Sequence, residues 1–97
     1  MNNTPYLLNA FSLQMLDGDA TVEFKEIECI LNIHKMKSAI GHKDTANILG
    51  VEYNRIDVKL KSGDIAYVVQ LIGGRLPEGV TTLPEGFKFK FWKVIVK

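Results

Sequence analysis

The sequence predicts an α/β fold built on a mixed sheet of about five strands with few, short helices. Three observations predict it. Apolar residues alternate or run unbroken over five stretches of strand length, residues 6–11, 21–27, 54–60, 65–72 and 87–96. Only one stretch, Lys43–Leu49, carries clear helix boundary signals, with Gly41 before it and Gly50 at the expected stop. Turn-forming clusters separate these runs at Asp17-Gly18-Asp19, Ser62-Gly63-Asp64 and the glycine- and proline-rich residues 73–86. At 97 residues the chain is expected to be a single domain, 1–97. Its 46% hydrophobic content suffices for one modest core and leaves material for an apolar face. A two-fold homodimer is therefore expected, closed pairs being the commonest oligomer.

Residues 6–11 (YLLNAF) read as a short strand buried on both faces. Residues 21–27 alternate, with Val22 and Phe24 opposite Glu23 and Lys25, and predict a half-buried strand. In residues 28–37, Cys29, Ile30, Ile33 and Met36 fall near helical spacing and predict a short helix. Residues 54–60 alternate cleanly, with Ile56, Val58 and Leu60 expected inward and Arg55, Asp57 and Lys59 outward. The turn at Ser62-Gly63-Asp64 then predicts a hairpin to the nearly all-apolar Ile65–Ile72, which belongs centrally in the sheet. Residues 73–86 contain Leu-Pro-Glu-Gly twice and read as a long loop, a length often found in lids. In residues 87–96, Phe87, Phe89 and Phe91 share one face of a last strand, and Trp92, Val94 and Val96 the other.

Composition narrows the function. Twelve basic against 11 acidic residues give a net charge of +1, which argues against a general nucleic-acid binder. No helix-turn-helix is recognisable, so DNA is not an expected partner. A compact anion held by a few arginines remains compatible. Cys29 is the only cysteine, which rules out an intrachain disulfide and a cysteine zinc cage, and it reads as a small buried hydrophobe. No apolar run approaches the roughly 20 residues of a membrane span, and no signal peptide is recognisable, so a cytoplasmic protein without membrane contact is expected. Phosphate-binding and dinucleotide glycine motifs are absent, and His34 and His42 do not make a zinc pair. No cofactor and no metal are expected.

The most informative segment is Ser38-Ala39-Ile40-Gly41-His42-Lys43-Asp44-Thr45. Gly41 allows a tight turn or close approach to a ligand. The amides that follow open a helix and can receive a phosphate. His42 stands at that helix start, where its imidazole can reach a phosphate oxygen and transfer a proton near neutrality. Other residues admit two readings. Arg55 is either a solvated strand residue or a ligand contact. Arg75 and Glu78 are either a local ion pair or site residues. Gln70, alone among apolar neighbours, is either a buttress or a ligand contact.

Four segments in order resemble the viral ring nucleases, small type III anti-CRISPR proteins of archaeal viruses and bacterial phages. They are Leu8-Asn9-Ala10-Phe11-Ser12 with Met15-Leu16; Ser38 to His42 with Thr45; Asn54-Arg55 and the alternation to Leu60; and Gln70 with Arg75-Leu76-Pro77-Glu78-Gly79. Together they cover nearly the whole chain. The resemblance implies a homodimer that binds cyclic tetra-adenylate across its interface and cleaves it without metal. It also implies roles: His42 matches the catalytic histidine, and Glu78 the glutamate supporting it. Arg55 and Arg75 match ligand-contacting arginines; Asn9, Ser12, Thr45 and Gln70 match polar pocket positions; residues 73–86 match the lid. This sequence departs in two places: residues 25–38 are compact, and Thr81-Thr82-Leu83-Pro84 stands where viral members often carry a helix.

With no activated nucleophile suggested by the residue order, the substrate is expected to supply one, the ribose 2′-hydroxyl. His42 would then protonate the leaving 5′-oxygen, the arginines would hold phosphate oxygens, and Glu78 would orient His42 or favour its protonated form. The products expected are linear di-adenylates with 2′,3′-cyclic phosphate ends, made in the host cytoplasm if a virus encodes the protein. The alternatives are a protein that sequesters the cyclic nucleotide without cutting it, and a small viral regulator that binds DNA or protein.

Overall fold

The computed structural model describes residues 5–97. In chain order the elements are β1 (Tyr6–Leu8), β2 (Val22–Ile27), β3 (Lys37–Ala39), α1 (Lys43–Leu49), β4 (Ile65–Ile72) and β5 (Lys88–Val96). Single 3-10 turns lie at Leu13–Met15 and Ile33–Lys35. The strands form one mixed sheet in the order β2-β5-β4-β1-β3. β1 runs parallel to both its neighbours, β3 and β4, and β5 runs antiparallel to β4 and β2. β4 lies at the centre, and its nearly all-apolar run buries Ala66 and Val68 on one face and Val69 on the other.

Two apolar clusters lie on opposite faces of this sheet, and the alternation of β1, β4 and β5 feeds both. Leu8, Ala66, Val68, Val94 and Val96 point to the first, which is closed by Phe11, Met15 and Leu16 from the loop after β1 and by Val58 and Leu60. Leu7 and Val69 point to the second, which is roofed by Ala46 and Leu49 of α1 and by Ile30, Ile33 and Met36. The side chains of β5 divide as their spacing predicts: Phe89 and Phe91 join the second cluster while Trp92, Val94 and Val96 join the first.

Three local expectations give way. Residues 54–60 form no strand and no hairpin with β4, because β5 and β1 occupy both edges of β4. The turn at 62–64 spends its backbone groups on the end of β5: Gly63 N donates to Val96 O at 2.8 Å, and Val96 N to Asp64 O at 2.9 Å. The alternation is satisfied by packing instead. Val58 and Leu60 are buried, Arg55, Asp57 and Lys59 are exposed, and Ile56 also faces out. Residues 28–37 form no helix. Asn32 takes a left-handed conformation (φ 59°), which interrupts a right-handed helix, and only one 3-10 turn follows. Ile30, Ile33 and Met36 share a spacing because they share a cluster, and the chain leads directly into β3. Cys29 is exposed rather than buried, in the irregular stretch just after β2.

Candidate functional site

Parallel pairing brings three strand ends together. Leu8, Ala39 and Val68 are in register, so the chain leaves β1, β3 and β4 on one side of the sheet. The carboxyl ends of parallel strands are a common place for ligand clefts. Asn9 follows β1, Gly41 and His42 follow β3, and Gly73-Gly74-Arg75 follow β4. Asn9 ties two of these ends, its Oδ1 accepting from Gly41 N at 3.0 Å.

Gly41 leaves room for a close neighbour. A Cβ there would lie 3.3 Å from Arg55 Cγ, so the Arg55 side chain passes directly across it. Arg55, Gly41 and Asn9 line a groove of about 400 Å³.

His42 is the N-cap of α1. Its Nδ1 accepts from Thr45 N at 3.3 Å and lies 3.3 Å from Thr45 Oγ1. An N–H donating to Nδ1 assigns the ring proton to Nε2, which has no hydrogen-bond partner among the described residues. Among the described residues Thr45 is the one buried polar residue, 5% exposed, and acts as the anchor. It therefore orients the imidazole by direct contact, which makes it more than a lining residue; a threonine three positions after the capping residue was the available signal. This arrangement also corrects an expectation, since the Thr45 amide is occupied by the ring and is not open to a phosphate.

His42 and Arg75 line two adjoining grooves. One, about 840 Å³, also has Glu78, Lys43, Asp44 and Asn47 in its wall; the other, about 320 Å³, includes Asn9 and Thr45. These sizes fall within the usual range for small-ligand sites. Glu78 shares the larger groove but makes no hydrogen bond to His42, and Arg75 and Glu78 do not pair. The ion pairs among the described residues are Lys90–Glu26 and Lys97–Glu23, so neither Arg55 nor Arg75 is committed to an internal carboxylate. The Lys97 ammonium, 2.9 Å away, holds the exposed Glu23 carboxyl below its ordinary pKa, far from the site in sequence.

Gln70 is exposed and lines a fourth, largely apolar cavity that also reaches Asn9. Its Oε1 accepts from Trp92 Nε1 at 3.0 Å. Ser12 stands apart: it caps the 3-10 turn, accepting from Gln14 N at 3.2 Å, and lines none of these cavities. His34 sits beside Gly50 at the opposite end of α1 from His42, so one imidazole faces the grooves. Among the described residues no three His, Cys, Asp or Glu side chains gather as a metal-ligand set, and no helix is long and apolar enough to cross a membrane.

The model of STIV B116-like proteins matches residues 5–89, a span that includes every site residue named above except Trp92 and the distal ion-pair lysines Lys90 and Lys97. The chain belongs to the STIV B116-like family. Its fold is similar to that of B116 of Sulfolobus turreted icosahedral virus, with a TM-score of 0.74 and 28% identity. The likeness covers 96% of this chain and 99% of that one, and so concerns the whole B116-like fold rather than one motif. No curated protein matches the chain. In this B116-like chain the grooves gather Asn9, Gly41, His42, Thr45, Arg55, Arg75 and Glu78 from four separated segments.

Proposed function

We propose that this STIV B116-like protein is a metal-independent ring nuclease that binds cyclic tetra-adenylate across a two-fold dimer and cuts it, switching off type III CRISPR signalling. The observation that carries the reading is the oriented His42, with Nε2 unpartnered beside Arg75 and Glu78 in one groove. Arginines without internal partners suit a ligand with one negative charge per nucleotide.

The chemistry requires no protein nucleophile. The ribose 2′-oxygen attacks the adjacent phosphorus. The O2′–P bond forms as the P–O5′ bond breaks, giving a 2′,3′-cyclic phosphate. The 2′-hydroxyl proton passes to water, and O5′ takes its proton from Nε2 of the His42 imidazolium, which is left neutral and regains a proton from water before the next cut. Thr45 Oγ1 can donate to a bare Nδ1 and accept from a protonated one, so a single contact serves the ring in both states. Arg55 and Arg75 neutralise phosphate oxygens as charge builds. Glu78 acts on the groove's field rather than by touching the ring. Residues 73–86 act as the lid. Two subunits would bring four arginines to four phosphates, and one His42 to each of two opposite phosphates, leaving two linear di-adenylates.

The test is incubation with cyclic tetra-adenylate in the presence of a chelator, followed by chromatography and mass spectrometry. Di-adenylate with cyclic phosphate ends is expected. A ring that binds but stays intact would identify a sequestering protein. Activity that appears only on adding magnesium or manganese would overturn the metal-free mechanism.

A further inference from the structure

We propose that Asn54, with Ser38, is a positioning residue that fixes Arg55 against the strand end carrying His42, so that the arginine meets a phosphate already in place. This rests on the ring-nucleotide reading above, in which Arg55 holds phosphate oxygens, and extends it to two residues that have no part in that scheme. β3 is an edge strand, with β1 on one side only. Such an edge leaves a row of main-chain groups to be satisfied. Asn54 takes two of them. Its main-chain N–H donates to Ile40 O at 2.9 Å, and its side-chain Nδ2 donates to Ser38 O at 3.1 Å. The short amide copies a peptide N–H, so one residue serves two carbonyls. The Ser38 hydroxyl returns the tie by donating to Glu52 O, and Tyr53 forms a parallel bridge with Ile40. Residues 52–54 are therefore fastened along β3 without being a strand.

The consequence falls on the next residue. Arg55 is exposed and belongs to neither ion pair among the described residues, so no carboxylate holds its charged end. Its place is set by its root and by the surface it crosses. Arg55 Cγ and Nε lie 3.3 and 3.9 Å from where a Cβ on Gly41 would stand. Asn9 Oδ1 holds the same backbone by accepting from Gly41 N at 3.0 Å. His42 follows directly and caps α1. One strand end thus sets both the arginine and the imidazole, although α1 lies between them in sequence. Ordering a long cationic side chain on binding costs conformational entropy, and a fixed root lowers that cost.

The experiment is a double-mutant cycle on the full-length His42→Asn protein, in which cutting is expected to be largely abolished. Cyclic tetra-adenylate is titrated by calorimetry. Asn54→Ala is expected to weaken binding about 3- to 10-fold, and Arg55→Ala on the order of tenfold. The two together are expected to match Arg55→Ala alone to within about twofold, because Asn54 acts through the arginine. Arg75 lies in other grooves, so Asn54→Ala and Arg75→Ala are expected to multiply in full. Ser38→Ala is expected to weaken binding as Asn54→Ala does, and Ser38→Thr, which keeps the hydroxyl, to recover it. Thermal melts at one protein concentration identify the folded variants, and Ser38→Ala takes the place of Asn54→Ala in the cycle if the latter does not fold. If the parent protein does not bind the ring, the ring-nucleotide reading and this role fall together. If the ring binds but the Asn54 and Arg55 losses multiply, or Asn54→Ala leaves affinity unchanged, the positioning role alone is overturned. Equal coupling of Asn54 to Arg75 and to Arg55 would make Asn54 a general structural residue, and would also overturn it.

Discussion

Replacing His42 separates its structural and chemical roles, because the same ring nitrogen that orients the imidazole also caps α1. In His42→Ala the Thr45 amide, on a residue only 5% exposed, loses its acceptor. Loss of a capping side chain costs about 0.5–2 kcal/mol, and the native bond is long at 3.3 Å, so the expected loss is about 1 kcal/mol. For a chain of this size that is about 4–8 °C in melting temperature. Asparagine ranks among the best caps, so His42→Asn is expected to melt close to the wild type. Neither variant can protonate O5′, and both are expected to lose about 10²- to 10⁴-fold in single-turnover cleavage of cyclic tetra-adenylate. Thermal melts followed by circular dichroism, at one fixed protein concentration, are compared with product formation by chromatography. If His42→Asn melts as low as His42→Ala, the ring does not serve as a cap. If His42→Asn cuts at close to the wild-type rate, the histidine is not the proton donor.

Arg75→Ala is expected to weaken binding of cyclic tetra-adenylate on the order of tenfold and to flatten its salt dependence, whereas Lys88→Ala on β5 is not; equal affinities for the two variants at low salt would count against the groove. Gly73→Ala is expected to lose about 1–3 kcal/mol in urea melts and Gly74→Ala less. Both residues have positive φ, but only at Gly73 does a new Cβ meet backbone, the Gly86 carbonyl at 2.8 Å; matching losses would show that this neck of the loop does not matter. Mixing wild-type with excess His42→Ala protein should form heterodimers that cut once and accumulate linear tetra-adenylate, and a light-scattering monomer making di-adenylate at full rate would exclude the two-site scheme. Because Lys97 lowers the Glu23 pKa, their small contribution to stability is present above the unfolded glutamate pKa and fades as pH falls through the lower folded value; Lys97→Met should raise the Glu23 titration midpoint by NMR, and an unmoved midpoint would remove the cause assigned to it.

The elements that carry the candidate site were legible because their signals are local. Gly41, His42 and Gly50 bracket a seven-residue helix by capping chemistry that needs no distant partner, and α1 has the boundaries those signals set. Glycines and prolines marked 73–86 as a loop, and no helix or strand lies between β4 and β5. The contacts within the site were less legible. Nothing in residue order says that Arg55 crosses Gly41, that Thr45 rather than Glu78 holds the imidazole, or that Trp92 bonds Gln70 across β4 and β5. Ser12 looked like a pocket residue and is a cap, because a serine hydroxyl next to a free amide serves its own turn first.

The sequence by itself determined the α/β class, the central place of Ile65–Ile72, the two-faced character of Lys88–Val96 and the helix that presents His42. Each follows from periodicity or capping within about ten residues. The tertiary structure alone decided which strands pair. Residues 54–60 and Lys37–Ala39 both lie between helix and turn signals, yet only the second entered the sheet. Alternation states that one side of a segment is buried but not what covers it: Val58 and Leu60 reach the same cluster as strand residues, although residues 54–60 make only a single bridge, Leu60 to Leu16, and no strand. Backbone pairing is settled by competition for the few open strand edges, and that competition brings Asn9, His42 and Arg75 to one end of the sheet.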